Sequence, residues 1–153
     1  MPSIRAAVAA DVATIRAIVD AAYGGYIGRT GKPPRPMLAD YDALVADGRV
    51  SVLEADGQIA GALVLLPQEG YLLLDNVAVA PAFQGRGLGR ALIAFAEDEG
   101  RRLGFDEVRL YTHVLMTENQ TLYTRLGFGE THRGEQDGYE RVFMRKRLTR
   151  PGA

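Results

Sequence analysis

The stretch that most limits what this chain can fold into is residues 71 to 103, YLLLDNVAVAPAFQGRGLGRALIAFAEDEGRRL. An apolar run ends at Val79 and Pro81 closes it. Gln84-Gly85-Arg86-Gly87-Leu88-Gly89 follows, with three glycines inside five residues. Leu88, Ala91, Leu92 and Phe95 then recur at i, i+3, i+4 and i+7, the stripe of an amphipathic helix. The order is strand, glycine-rich turn, helix. It aims free backbone N–H groups and the positive end of a helix dipole at one point, where an anion binds, most often a phosphate. Glycines let the phosphate reach the backbone because no Cβ intervenes. Two familiar phosphate loops are excluded. G-x-G-x-x-G fails because Arg90 stands where the third glycine belongs, and G-x-x-x-x-G-K-[ST] fails because Arg90 and Ala91 follow Gly89.

A chain of 153 residues can bury a core of its own, and one domain over residues 1–148 with a frayed tail at 149–153 is expected. Apolar residues make up 47% and charged ones 24%, values that argue against disorder. A net charge of −1 gives no electrostatic case for nucleic acid or an anionic membrane as partner. Cysteine is absent, so disulfides, a thiolate nucleophile and a cysteine-based zinc site are excluded. No apolar run reaches spanning length, and the first residues lack the basic start and apolar core of a signal peptide. A cytoplasmic location is the expectation.

Taken in order, Ser3 to Val8 reads as a strand, and Asp11 as the N-cap of a helix carrying Ile15, Ile18, Val19 and Ala22 and stopping at Gly24-Gly25. Residues 26 to 37, YIGRTGKPPRPM, hold two glycines and three prolines and are expected to be irregular. This segment is either a solvated surface loop or a substrate-facing lid. Leu38 to Ala46 is a short second helix ended by Asp47-Gly48. Arg49 to Ala55 and Gln58 to Leu66 are strands joined by an Asp56-Gly57 hairpin turn. Residues 67 to 70 lead into the strand at 71 to 79. After the helix, Gly104 closes it and Glu107 to His113 is a strand, parallel to the one at 71 because a crossover helix separates them. Glu118 to Leu126 is the last helix, ended by Gly127. Phe128 to Arg133 and Tyr139 to Arg147 form a closing hairpin around 134 to 138.

The spacing Q-x-x-G-x-G, from Gln84 through Gly87 to Gly89, resembles the pyrophosphate-binding loop of the GNAT superfamily of acyl-CoA-dependent N-acyltransferases, and Val77-Ala78-Val79-Ala80-Pro81 resembles the end of that family's central strand. The element order β-α-α-β-β-β-α-β-α-β-β is that of the α+β GNAT fold, a mixed sheet. Residues 119 to 128, NQTLYTRLGF, are similar to the family's last-helix signature N-x-x-x-x-Y-x-x-x-G-F, with the first step one residue short. The resemblance implies acetyl-CoA as co-substrate, without a metal, and an N-acetyltransferase acting on a primary amine of a small molecule. It places Val77, Ala78, Val79, Gln84, Gly85, Arg86, Gly87, Leu88, Gly89, Arg90, Asn119 and Tyr123 on the acetyl-CoA, and Tyr26 and Arg29 in the lid beside the acceptor. A homodimer is left open. Two alternatives stand beside it, a non-catalytic acyl-CoA-binding or sensing domain and an acetyltransferase of protein N-termini or lysines.

Asp75 is the polar anomaly within LLLDNVAV, since aspartate is disfavoured inside strands. A carboxylate on a central strand loses solvation, the condition that tunes such groups toward base chemistry. It precedes by three residues Ala78, the position at which many GNAT enzymes carry a glutamate base. The competing reading is a structural aspartate. Tyr123 is, by the resemblance, the general acid that protonates the departing CoA thiolate. Without the resemblance it reads as a packed core tyrosine. His113, at the end of its strand, is a reserve base or acceptor-binding residue.

Overall fold

The computed structural model describes residues 2–33 and 35–149, without the side chains of Tyr26, Arg29 and Thr30. The tail expected at 149–153 therefore lies outside the described residues except for Thr149. The elements are β1 (Ser3–Ala6), α1 (Val12–Tyr23), α2 (Ile27–Thr30), α3 (Tyr41–Ala46), β2 (Val50–Ala55), β3 (Gln58–Pro67), β4 (Leu72–Val79), α4 (Leu88–Arg102), β5 (Glu107–His113), α5 (Thr117–Arg125), β6 (Gly129–Gln136) and β7 (Tyr139–Arg147). The strands form one mixed sheet of order β1-β2-β3-β4-β5-β7-β6. The expected parallel pair is present, with Leu72, Leu73 and Leu74 of β4 opposite Val108, Arg109 and Leu110 of β5.

The chain divides into two compact units. One runs up to Leu65 and adds Asn76–Ala94, and the other holds Leu66–Asp75 and the chain from Phe95 onward. In the first, the β2–β3 hairpin turns on Asp56 and Gly57, both at positive φ (54° and 74°), as the Asp-Gly pair predicts. Val50, Val52, Leu53, Ala60, Ala62, Leu63 and Val64 are buried there. Gly61 has no room for a side chain, because a Cβ would stand 3.0 Å from the Ala78 carbonyl oxygen and 3.0 Å from Leu92 of α4. In the second unit the strands are sided. Leu72, Leu74, Val108, Leu110, Thr112, Val142 and Met144 are buried on one face. Gly100 of α4 lies against that face, since a Cβ there would come within 2.8 Å of Leu148, 3.5 Å of Val108 and 3.7 Å of Leu72. By strand alternation the other face carries Leu73, Asp75, Arg109, Tyr111, His113, Arg141 and Phe143.

Several boundaries differ from expectation. Residues 26 to 37 are not irregular throughout. They include α2, and one-turn 3-10 segments occupy Gly24–Tyr26 and Arg35–Leu38. Pro36 sits in the opening turn of its segment, where a missing N–H costs nothing. The second predicted helix starts at Tyr41 rather than Leu38, because the Asp40 side chain caps it by accepting the Ala43 N–H at 3.1 Å. β6 runs to Gln136, so the closing hairpin has a tight Asp137-Gly138 turn, at φ 55° and 80°, instead of a five-residue loop.

Asp11 does not cap α1 with its side chain. A 3-10 turn over Ala9–Asp11 already gives it helical dihedrals (φ −84°, ψ −15°), which turn the carboxylate back. It accepts the Val8 N–H at 2.8 Å and both ends of the Arg5 guanidinium at 2.8 and 3.2 Å, and Arg5 also pairs with Glu54. The Arg5 hydrogen bonds and the Val8 amide hold the buried Asp11 carboxyl below the usual carboxylate range. A depressed folded-state pKa contributes stability that is present above the unfolded value of about 4 and is lost as pH falls through the folded value. Asp11→Asn is thus expected to lower the melting temperature at pH 7. The gap to the parent protein should narrow as pH drops below about 4 in a thermal-melt series. A gap independent of pH would assign Asp11 a packing role.

Candidate functional site

In the first unit the site residues follow one another along the chain. Gly85 and Gly87 have φ of 83° and 77°, and a Cβ on either would meet nothing within 4 Å. The glycines are thus required by backbone conformation, while the space over them is open. Helix α4, 15 residues long, starts at Leu88, whose buried side chain pins it. Ala91 donates to the Gly87 carbonyl at 3.1 Å, so the N–H groups of Leu88, Gly89 and Arg90 precede the first intrahelical donor. Gly89 faces Val79, whose Cγ2 would lie 3.9 Å from a Cβ. Gln84 ties the loop to the strand, its side-chain amide donating to the Val79 carbonyl at 3.3 Å. Arg86 ties it to the β2–β3 turn, donating to Asp56 at 2.7 Å with its guanidinium 4.9 Å above the Phe83 ring. That contact holds the Asp56 carboxyl below its ordinary range. Arg90 is exposed in the first turn of α4. A loop tied to its neighbours by Gln84 and Arg86, under open space and with unpaired amides at a helix start, is a fitting cradle for a phosphate group.

Just before this segment, buried Asn76 organises a network that the sequence reading passed over. Its Oδ1 accepts the Tyr23 hydroxyl at 2.8 Å and its Nδ2 donates to the Tyr41 hydroxyl at 3.0 Å. Tyr23 is also 2.9 Å from the Val77 carbonyl, and Tyr41 donates to the Pro36 carbonyl at 2.5 Å. One asparagine therefore joins the end of α1, the start of α3 and the 35–38 turn to β4. The available signal was a second polar residue in LLLDNVAV, on the strand face opposite Asp75. Tyr26 and Arg29 follow α1, with backbones in the 24–26 turn and α2, and their side chains lie outside the described part.

In the second unit half-buried Asp75 accepts the Tyr111 hydroxyl at 2.8 Å. The polar face continues through His113, whose Nδ1 accepts the Leu115 N–H at 3.1 Å and whose ring meets Tyr139 edge-on at 6.4 Å. A cavity of about 300 Å³ is lined on this face by Tyr71, Leu73, Arg109, Tyr111, His132 and Phe143, among others. The other face carries α5. Lys146, opposite Val108 in the sheet, donates to the Leu126 carbonyl at 2.7 Å and pairs with buried Glu97 at 2.9 Å. Asp75 and Tyr123 thus belong to opposite faces.

Tyr123 is 5% exposed, with its ring 6.0 Å from Phe128. The Phe128 N–H reaches the Tyr123 carbonyl at 3.0 Å and the Gly127 N–H reaches Thr124 at 3.1 Å, a Schellman cap with its apolar contact. Gly127 has φ 99°, and a Cβ there would press on Lys146 at 3.1 Å. The spacing Y-x-x-x-G-F is therefore a helix-ending device as well as a signature. Asn119 is half-buried, and its side-chain amide points at Met116 Sδ at 3.7 Å.

Among the described residues no group of three or more His, Cys, Asp or Glu side chains could hold a metal ion. No helix among them is long and apolar enough to cross a membrane.

The chain matches the family model for the acetyltransferase (GNAT) family over residues 15–128. It is 31% identical over 81 residues to "Uncharacterized N-acetyltransferase YjgM" of Escherichia coli K12, a match covering 50% of this chain and 48% of that one. Its matches span 38% and 48% of the length of two of its curated relatives. The fold matches that of yncA from Salmonella typhimurium, solved with its cofactor acetyl-CoA, at TM-score 0.74 and 26% identity over 100% of this chain and 97% of that one. It also matches the PaiA N-acetyltransferase of Thermoplasma acidophilum in complex with coenzyme A, at TM-score 0.79 and 19% identity over 97% and 99% of the two chains.

Proposed function

This chain belongs to the acetyltransferase (GNAT) family, and from that premise we propose that it transfers an acetyl group from acetyl-CoA to a primary amine of a small molecule by direct attack. The observation that carries the proposal is the 85–90 loop, with two glycines at positive φ, open space above them and the amides of α4 facing it. The acetyl-CoA held by the structural relative from Salmonella typhimurium supports the choice of donor. The tied-down segment between α1 and α3 supports a small acceptor over a polypeptide, which needs an open groove. The reading takes residues 1–148 as one catalytic domain.

In the proposed mechanism the amides from Gly85 to Arg90 hold the pyrophosphate. Backbone N–H groups over Val77 to Val79 bind the thioester carbonyl and stabilise the oxyanion that forms as the amine attacks. The acceptor and the donor meet from the two faces of the sheet: on one face Asp75, directly or through a water, takes the proton from the acceptor ammonium, and on the other Tyr123 donates its hydroxyl proton to the departing thiolate. Binding both substrates in register supplies much of the acceleration. Asn119, Tyr26, Arg29 and His113 have supporting roles in this proposal, the first toward the donor and the others toward the acceptor.

Thiol release from acetyl-CoA across an amine panel tests the proposal, and no release with any amine overturns it. Asp75→Asn separates the base from a structural aspartate. The rate is expected to fall about tenfold at pH 7, water replacing part of the base's work. It should recover at higher pH, where more acceptor amine is already unprotonated. A variant with the parent pH profile and a lowered melting temperature would leave Asp75 only its bond to Tyr111.

A further inference from the structure

Three charged side chains are buried among the described residues, namely Asp11, Glu97 and Arg141. Asp11 is paired with Arg5, and Glu97 with Lys146. Arg141, on β7 and 3% exposed, has no carboxylate within ion-pair distance among the described residues. Its Nη1 donates to the Gln136 side-chain oxygen at 2.6 Å. Its guanidinium lies 4.1 Å from the centre of the Tyr111 ring and 5.4 Å from that of Tyr139. Ring faces offset part of the desolvation of a buried cation, but a guanidinium has five N–H donors. Among the described residues, no fully buried side-chain nitrogen or oxygen lacks a hydrogen-bond partner. The Arg141 donors that Gln136 does not take must therefore open onto solvent-accessible space.

The surroundings show where that space lies. Gly134 of β6 is paired with Arg141, so the two share a sheet face, and a Cβ on Gly134 would meet nothing within 4 Å. Gln136 is exposed and neutral, able to swing aside. The fork of a guanidinium matches a carboxylate, and such a bond is stronger than one to an amide oxygen. Tyr111 links this spot to the chemistry, since the ring under Arg141 carries the hydroxyl that holds Asp75. The anchor thus lies over the face of one phenol ring, 4.1 Å from its centre, and the candidate base at that ring's hydroxyl, 2.8 Å away. That separation suits a molecule whose amine and carboxylate are a few bonds apart.

We propose that Arg141 anchors a carboxylate carried by the acceptor, seated beside Gly134 in place of the Gln136 oxygen, so that the acceptors are amino acids and related amino carboxylates. This rests on the amine-acetyltransferase reading and specifies its substrate class.

The test compares matched acceptors, namely amino acids, their amides, the corresponding amines without the carboxylate, and aminoalkylphosphonates, by steady-state thiol release from acetyl-CoA. The parent protein is expected to prefer the carboxylate over its amide by about 30-fold in kcat/KM, mainly through KM, as befits a charge-assisted bond. Arg141→Gln should bring that ratio to about one. Arg141→Lys should restore only part of it, because the charge returns without the fork. Gly134→Leu fills the proposed seat, leaves the arginine in place and should also collapse the ratio, which covers the case of an Arg141 variant that fails to fold. Equal use of carboxylates and amides by the parent, or an unchanged ratio in both variants, overturns the proposal. A preference for phosphonates replaces it with a tetrahedral-anion site. A parent that binds acetyl-CoA in calorimetry yet acetylates no amine overturns the underlying reading, and this proposal with it.

Discussion

Gly87→Glu is expected to yield a folded protein that no longer binds acetyl-CoA. The glycine sits at φ 77° with nothing within 4 Å of a Cβ, so the substitution meets backbone strain but no clash. That strain costs about 1–2 kcal/mol, which a folded domain usually survives. The new carboxylate enters the space proposed for the pyrophosphate. Two unit charges 4 Å apart repel by about 4 kcal/mol at an effective dielectric of 20, close to a thousandfold in affinity. Calorimetric titration with acetyl-CoA should therefore show at least a hundredfold weakening, taking a conservative share of that repulsion. Gly87→Ala carries the same strain without the charge and should lose much less. Raising the salt concentration should recover part of the loss in the glutamate variant only. If the glutamate variant binds acetyl-CoA with the parent affinity, the loop is not the phosphate site.

Tyr123→Phe tests the general acid. The ring stays, so its contact with Phe128 and the cap at Gly127 should persist and the melting temperature should move little. The O–H donor is lost. Loss of a general acid typically costs roughly 10²–10⁴-fold in rate. A thiolate is a tolerable leaving group even without a proton, so the lower end, about 100-fold in kcat, is expected. Affinity for acetyl-CoA should fall far less, because the proposed phosphate contacts lie at 85–90. Turnover within about twofold of the parent would make Tyr123 a core residue and pass the proton to water or another group.

The two variants also show why some of the site was legible and some was not. The loop is local. Its glycines, the strand before it and the helix after it lie within one stretch of chain, and the anion-binding geometry follows from their order alone. The last-helix signature was legible for the same reason, because Tyr123, Gly127 and Phe128 form one helix cap. Asn76 and Arg141 escaped notice for the opposite reason. Asn76 matters through Tyr23 and Tyr41, which are 53 and 35 residues away in the chain. Arg141 belongs to no local motif, and its setting comes from Tyr111 and Tyr139, which the sheet places around it.

The misplaced boundaries have a similar origin. Asp11 has the right residue type in the right position for a cap, and the pull of Arg5 together with a preceding 3-10 turn decided otherwise. The proline-rich 26–37 segment was expected to be irregular on propensity, which omits the hydrogen bond from Tyr41 to the Pro36 carbonyl.

By itself, then, the sequence determined the strand–loop–helix unit, the Asp56-Gly57 hairpin turn, the parallel pairing of β4 with β5, and the family. Each follows from residues close together in the chain, or from a periodicity that only one kind of element satisfies. Only the tertiary structure decided which polar groups are buried, which partners they have, and which face of the sheet each occupies. Burial and pairing are set by residues distant in sequence, and the free energy of a charged or polar side chain depends on those neighbours more than on its own type.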